Sequence, residues 1–251
     1  MPRKLQLYKH MWLDRQLTDF EIKGVCGSMV HDLDFERSVM PNQLVAPIKE
    51  EDFYIDVPPQ APIIKLSQRR YVDEFFEKGT LKLGTFHEYQ HHPNPEIGDH
   101  EEGLVTLVVT ANWGTMSGKY RTGYNYYLFC AAIGDVNPAT VNSFGYDSAF
   151  EVSNPQAFAR AIAAKLNARS YNFGRCIYHN GKAIIGRPRR VIDRSRISSE
   201  YADLLGISKY LIKMNKYKPQ RELRFLFEMP ADVHEPIMIE CPEAVQFCKK
   251  L

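Results

Sequence analysis

The feature that most constrains this fold is a series of short apolar runs separated by turn residues. IIKLS (63–67), LVTLVVT (104–110), YNYYLFCAAI (124–133) and RELRFLFE (221–228) are rich in β-branched and aromatic residues. All fall well short of the roughly 20 apolar residues a membrane-spanning helix needs. Runs of this size and composition read as β-strands. The N-terminus, MPRKLQLYKHMWLDRQ, carries no apolar signal-peptide core, which points to a cytoplasmic chain with no membrane partner. The five cysteines, Cys26, Cys130, Cys176, Cys241 and Cys248, are scattered without a CxxC pair. They suggest neither a disulfide framework nor a cysteine zinc site. Cys130 and Cys176 lie in strand-like runs and read as small buried hydrophobes.

Helical signals are interleaved with these runs. Tyr71–Lys78 places Tyr71, Val72, Phe75 and Phe76 at helical spacing and stops at Gly79. Ser153 or Asn154 caps a second helix, with Pro155 in its first turn and Phe158, Ile162 and Leu166 on one face. A helix over Ser198–Asn215 and a short one over Glu243–Lys249 complete the set. Asn180-Gly181, flanked by FGRCIYH and KAIIG, predicts a two-residue β-hairpin. In RELRFLFE, Leu223, Phe225 and Phe227 fall on one strand face, and Glu222, Arg224 and Leu226 on the other. Hairpins mixed with isolated helices predict an α+β fold, a compact two-sheet mixed arrangement with flanking helices. Residues 1–62 are irregular and end in the stiff DVPPQAP connector, so they read as an N-terminal arm or cap. Residues 63–251 read as the main domain.

Charge is distributed unevenly. The total is +2, but Lys165–Arg224 holds 15 basic and 4 acidic residues, against 17 and 26 in the remainder. Arg187, Arg189, Arg190, Arg194 and Arg196 crowd into one predicted loop. Arginine forks suit phosphate oxygens, and nearby Tyr171, Phe173 and Tyr178 offer stacking surfaces. This segment is the candidate nucleic-acid-binding surface, RNA or DNA.

His87-Glu88-Tyr89-Gln90-His91 matches HExxH, the zinc pattern that needs a helix. The strand-like GTLKLGTF before it and Pro93 and Pro95 after it predict a polar loop instead, so no metal is assigned. A stronger constellation is Gln220-Arg221-Glu222 opening the RELRFLF strand. Two positions apart on a strand, Gln220 and Glu222 would share a face. Arg221 and Arg224 favour the ionised carboxylate. Such a carboxylate stabilises an oxocarbenium-like centre, and the amide orients a nucleophile.

This pattern resembles the third signature of the ADP-ribosyltransferase superfamily, a Q/E-x-E motif on a late strand. IIKLSQRRYVDEFFEKGTLKLG is similar to the superfamily's first signature of strand, basic residue, helix and glycine. The stretch through Gly98-Asp99-His100-Glu101-Glu102-Gly103 is similar to bacterial proteins associated with phage defence. The resemblance implies an ADP-ribosyltransferase-like fold, with NAD as co-substrate. It implies Glu222 and Gln220 as catalytic residues. Arg69 or Arg70 would hold an NAD phosphate or ribose, and a tyrosine among Tyr124, Tyr126 and Tyr127 would pack on nicotinamide. It further implies a toxin or phage-defence effector that modifies nucleic acid and is restrained by a neutralising antitoxin. Two other readings stand beside it. One is a non-catalytic nucleic-acid-binding module using the Arg187–Arg196 loop. The other is a metal-dependent hydrolase or nuclease using the His87–Glu102 segment.

Overall fold

The computed structural model describes residues 58–95, 97–111, 114–121, 123–135, 141, 144–178, 182–186 and 210–251. The architecture is mixed α+β with a large antiparallel sheet. Among the described residues, no helix is long and apolar enough to cross a membrane. The N-terminal arm, apart from its last residues, and the Arg187–Arg196 loop lie outside the described residues.

The chain groups into two compact units. The larger spans 54–102, 123–176 and 216–251 and holds an eight-stranded sheet. In it β1 (Ile63–Ser67) leads into α1 (Arg69–Lys78) and β2 (Thr80–Thr85), followed directly by α2 (Phe86–His91). The smaller unit contributes β3 (Leu104–Ala111) and β4 (Gly114–Arg121). The chain then returns with β5 (Tyr126–Ile133), β6 (Ser148–Val152), α3 (Pro155–Leu166) and β7 (Ser170–Arg175). The smaller unit takes β8 (Ile177–Tyr178), β9 (Ala183–Gly186) and β10 (Ile212–Lys213). A 3-10 turn over Asn215–Gln220 precedes β11 (Glu222–Glu228), β12 (Ile237–Glu240), α4 (Pro242–Val245) and β13 (Cys248–Lys250).

Strand β5 organises the large sheet. One edge pairs along β11, from Glu222↔Ala132 to Glu228↔Tyr126, and β11 pairs in turn with β7. The other edge is forked. Near its end β5 pairs with β1 at Ile63↔Ile133, and nearer its start with β2 at Gly84↔Leu128. Strand β1 then diverges to pair with β6. A fork interrupts the ladder, and carbonyls inside it need other partners. The Lys65 ammonium supplies one, donating to the Cys130 carbonyl at 2.9 Å.

The core lies on the face of β11 bearing Leu223, Phe225 and Phe227. They pack with Phe129, Phe150 and Phe173 of the sheet, Val72 and Phe75 of α1, Phe158, Ala159 and Ile162 of α3, and Ala244 of α4. Edge and tilted contacts such as Phe158–Phe225 at 5.4 Å add directional attraction to area burial. Asn154 caps α3 by accepting from the Ala157 amide, and Gly79, at φ +75°, closes α1. Both are as the sequence indicates.

Other expectations are corrected. FGRCIYHNGKAIIG does not form a hairpin ladder among the described residues. Its first arm divides at Cys176: β7 joins β11, β8 pairs parallel with β10, and β9 pairs parallel with β3. The turn signal is local, whereas the ladder partners are distant in sequence. The helix expected to reach Asn215 has ended before it, because Ile212–Lys213 is strand and Asn215–Gln220 is 3-10. The last helix is only Pro242–Val245, and the chain returns to strand at Cys248.

Candidate active site on the charged face of the sheet

Alternation along β11 turns Glu222, Arg224 and Leu226 away from the phenylalanine core, yet all three are buried. The cover comes from α2 and from the Gly98–Glu102 segment. Phe86 lies beneath the Arg224 guanidinium, 5.8 Å from its ring centre. Hydrogen bonds tie the segment to α2. The Asp99 amide donates to the Tyr89 carbonyl at 2.9 Å, and the Gln90 side chain donates to the Glu102 carbonyl at 2.8 Å. His100 Nδ1 meets the Gln90 carbonyl at 2.8 Å. From below, the Tyr217 hydroxyl donates to the Gly98 carbonyl at 3.0 Å.

This cover carries Glu102 onto Arg224, 122 residues away in sequence. Arg224 donates from Nη1 and Nη2 to the two Glu102 oxygens at 2.8 and 2.7 Å, and from Nε to Glu222 Oε1 at 2.6 Å. A guanidinium taken out of water persists only with good partner geometry. Burial alone would lower the Arg224 pKa. Interactions with Cys176 and with the Glu102 and Glu222 carboxylates outweigh it and raise the guanidinium well above its ordinary value.

Further polar groups share this environment. Burial lowers the Lys65 pKa, while Cys130, Glu222 and Glu88 pull the other way. Burial pushes the Tyr89 phenol well above its ordinary range, and a hydrogen bond with Cys130 and the charges of Glu88 and Glu222 add to the effect. Tyr146 rises for the same reasons, burial first, then Cys130 and Glu88. Glu88 Oε1 pairs with Lys82 at 2.5 Å, whereas its buried Oε2 has no hydrogen-bond partner among the described residues. Gly84 lets Tyr89 and Glu88 lie flat on the sheet. A Cβ there would sit 2.7 Å from the Tyr89 hydroxyl and 2.9 Å from Glu88 Oε2. Tyr89, Glu88 and Cys130 thus lie on the charged face of the sheet, whereas Lys65 pairs opposite Phe150 and sets its ammonium 4.8 Å from the Phe129 ring centre, at the fork beside the core.

The residues expected from sequence are distributed unevenly over this face. Glu222 opens β11 as expected. Gln220 is not on the strand: it ends the 3-10 turn, and Arg221 at φ +47° breaks the extended backbone between them. The argument that Gln220 and Glu222 share a strand face is therefore corrected, although both stand beside the same bend. Arg69 and Arg70 are exposed at the start of α1. Arg70 bonds its neighbours Gln68 and Tyr71, and the Arg69 amide donates to Asp147. Tyr126 and Tyr127 pair opposite Glu228 and Phe227, at the other end of β11 from Glu222. Six strand steps separate the ends by about 20 Å. Tyr124 lies in the turn before β5, its ring 6.5 Å from that of His234.

The HExxH stretch is helical after all. Thr85 caps α2 by accepting from the Glu88 amide, which overrides the strand-like residues before it. His87 and His91 stand one turn apart, with ring centres at 4.4 Å, and His234 lies 5.5 Å from His87. Glu88 is drawn off to Lys82, and among the described residues no three His, Cys, Asp or Glu side chains are arranged to hold a metal ion.

Lys65, Tyr89, Cys130 and the pairing of Glu102 with Arg224 were missed in the sequence. One signal was available, a lone lysine inside the apolar run IIKLS. Comparison with family models, curated proteins and solved structures finds no match, so the function of this face rests on its own geometry.

Proposed function

We propose that the chain transfers ADP-ribose from NAD to a nucleic-acid acceptor, with Glu222 as the catalytic carboxylate. The observation that carries this reading is the fixed, buried carboxylate of Glu222 at the start of β11, held by the Arg224 Nε at 2.6 Å. A carboxylate oriented in this way stabilises positive charge developing at a ribose carbon without reorganising. In the transfer the bond from ribose C1′ to the pyridinium nitrogen breaks, and its electron pair leaves with neutral nicotinamide. An acceptor nitrogen or oxygen forms the new bond to C1′ and releases its proton to solvent. Arg69 and Arg70 are engaged with Asp147, Gln68 and Tyr71, and the basic residue paired with Glu222 is Arg224. Gln220, beside the same bend, remains the candidate for orienting the acceptor.

The surplus of basic residues between Lys165 and Arg224 favours a nucleic acid as acceptor. An enzyme of this kind fits the role of a toxin or defence effector restrained by a partner protein. The test is incubation of labelled NAD with the full chain and RNA, DNA or protein in parallel, for wild type and Glu222→Gln. Label entering the nucleic-acid fraction with wild type alone is the expected result. Intact NAD in every fraction overturns the transferase. Label in the protein fraction overturns the acceptor.

A further inference from the structure

The transferase reading makes no use of the histidine pair on α2. His87 and His91 stand one turn apart, with ring centres at 4.4 Å and ring planes 39° apart. His91 is exposed and His87 half-buried. The His91 Nδ1 lies 2.8 Å from the His87 carbonyl. A carbonyl only accepts, so Nδ1 carries the proton and Nε2 keeps the lone pair. Metal-binding histidines are commonly held in this way, the second ring nitrogen donating to a carbonyl. The ring nitrogens of His87 have no hydrogen-bond partner among the described residues.

The spacing of the two rings is informative. With a metal–nitrogen bond of about 2.1 Å, an imidazole ring centre stands about 3.2 Å from the ion. Two rings at right angles about one ion are then about 4.5 Å apart, and at a tetrahedral angle about 5.2 Å. The observed 4.4 Å matches the right angle of a square or octahedral shell. His234 packs edge-on against His87 at 5.5 Å and restrains that ring. Its carbonyl accepts at 2.8 Å from the Thr85 hydroxyl, the same group that caps α2. Glu88, which would be the base in a zinc hydrolase, is held by Lys82 instead. The pair is therefore suited to binding a metal without hydrolytic chemistry.

We propose that His87 and His91 bind a divalent late transition metal ion, nickel(II) or copper(II), with water completing its shell, and that this ion clamps α2 over the charged face of β11. Imidazole selects such ions over magnesium(II), which prefers oxygen. Helix α2 has six residues and is too short to persist unaided. An ion joining positions one turn apart holds its first and last turns together. This inference does not depend on NAD.

The experiment adds nickel(II) to the untagged full chain after chelator treatment, with magnesium(II) as control. Calorimetry is expected to show nickel binding at micromolar concentration and no magnesium binding. His91→Gln should weaken nickel binding at least about tenfold, whereas His92→Gln should change it less than about threefold. In amide NMR the paramagnetic ion should broaden Phe86–His91 first. Hydrogen exchange followed by mass spectrometry should slow across the same residues at nickel saturation, in wild type and not in His91→Gln. Absence of nickel binding, binding unchanged in His91→Gln, or broadening centred away from α2 overturns the site. Exchange unchanged at saturation overturns the clamp. If His91→Gln fails to fold, the broadening pattern in wild type decides.

Discussion

The two faces of β11 are equally buried but hold together differently. On one, Leu223, Phe225 and Phe227 enter a cluster fed by three helices and the sheet, where attraction is non-directional and shared among many neighbours. On the other, Arg224 depends on two named carboxylates within 2.8 Å. The apolar face is held by volume, and the charged face by pairing. Pairing of this kind contributes little net stability over an apolar filling, yet it fixes side-chain geometry closely. The charged face thus trades stability for a defined arrangement.

The largest expected effects test this contrast directly. Phe225→Ala should cost about 3–5 kcal/mol in urea unfolding, with no single second change restoring it. Arg224→Met should cost about 3–5 kcal/mol as well, because it takes the guanidinium away from two buried carboxylates. Adding Glu102→Met to it should recover most of that loss. A double variant no more stable than Arg224→Met would show that the charged face is not held by pairing.

A smaller effect is expected at Gly84, where the cover of the charged face rests on the sheet. Gly84→Ala pushes against the Tyr89 hydroxyl and Glu88 Oε2 and should cost about 1–3 kcal/mol. Tyr89 fluorescence and the melting temperature should change together. A melting temperature equal to that of wild type would mean that α2 is not pressed onto the strand.

At neutral pH the smallest effect belongs to Cys248, a thiol packed against the apolar core, where burial pushes its pKa from 9.0 up to about 12. The folded state then holds this proton more tightly than the unfolded chain. The stabilisation is complete below pH 9 and is lost as pH rises towards 12. Cys248→Ser should flatten the stability profile across that window. A profile identical to that of wild type would remove Cys248 as its source.

The same contrast governs what could be read from the sequence. The period-two pattern of RELRFLFE assigned both faces of β11 correctly, because burial against a core writes itself into a single strand. Asn154-Pro155 and Gly79 were legible for a similar reason: a cap is a local demand on one or two residues. The fork at β5 was not legible, because it depends on where β1 and β2 leave a common neighbour. Asn180-Gly181 carried a true local preference, but the strands beside it found other partners. For α2, strand-like residues up to Phe86 masked a start that rests on one hydroxyl, that of Thr85. Glu222 stood out in the sequence, but nothing local linked it to Glu102. A tertiary ion pair leaves no period behind, only two charges in buried company.

The central claim is that the charged face, at its Glu222 end, is where NAD is engaged. Its most direct test is a backbone amide NMR spectrum of the full chain with and without NAD. Shifts gathered on Tyr89, Cys130 and Glu222, with Phe158 and Ile162 on the opposite face unmoved, are the expected result. No shifts, or shifts confined to Tyr126 and Tyr127 at the far end of β11, would contradict it.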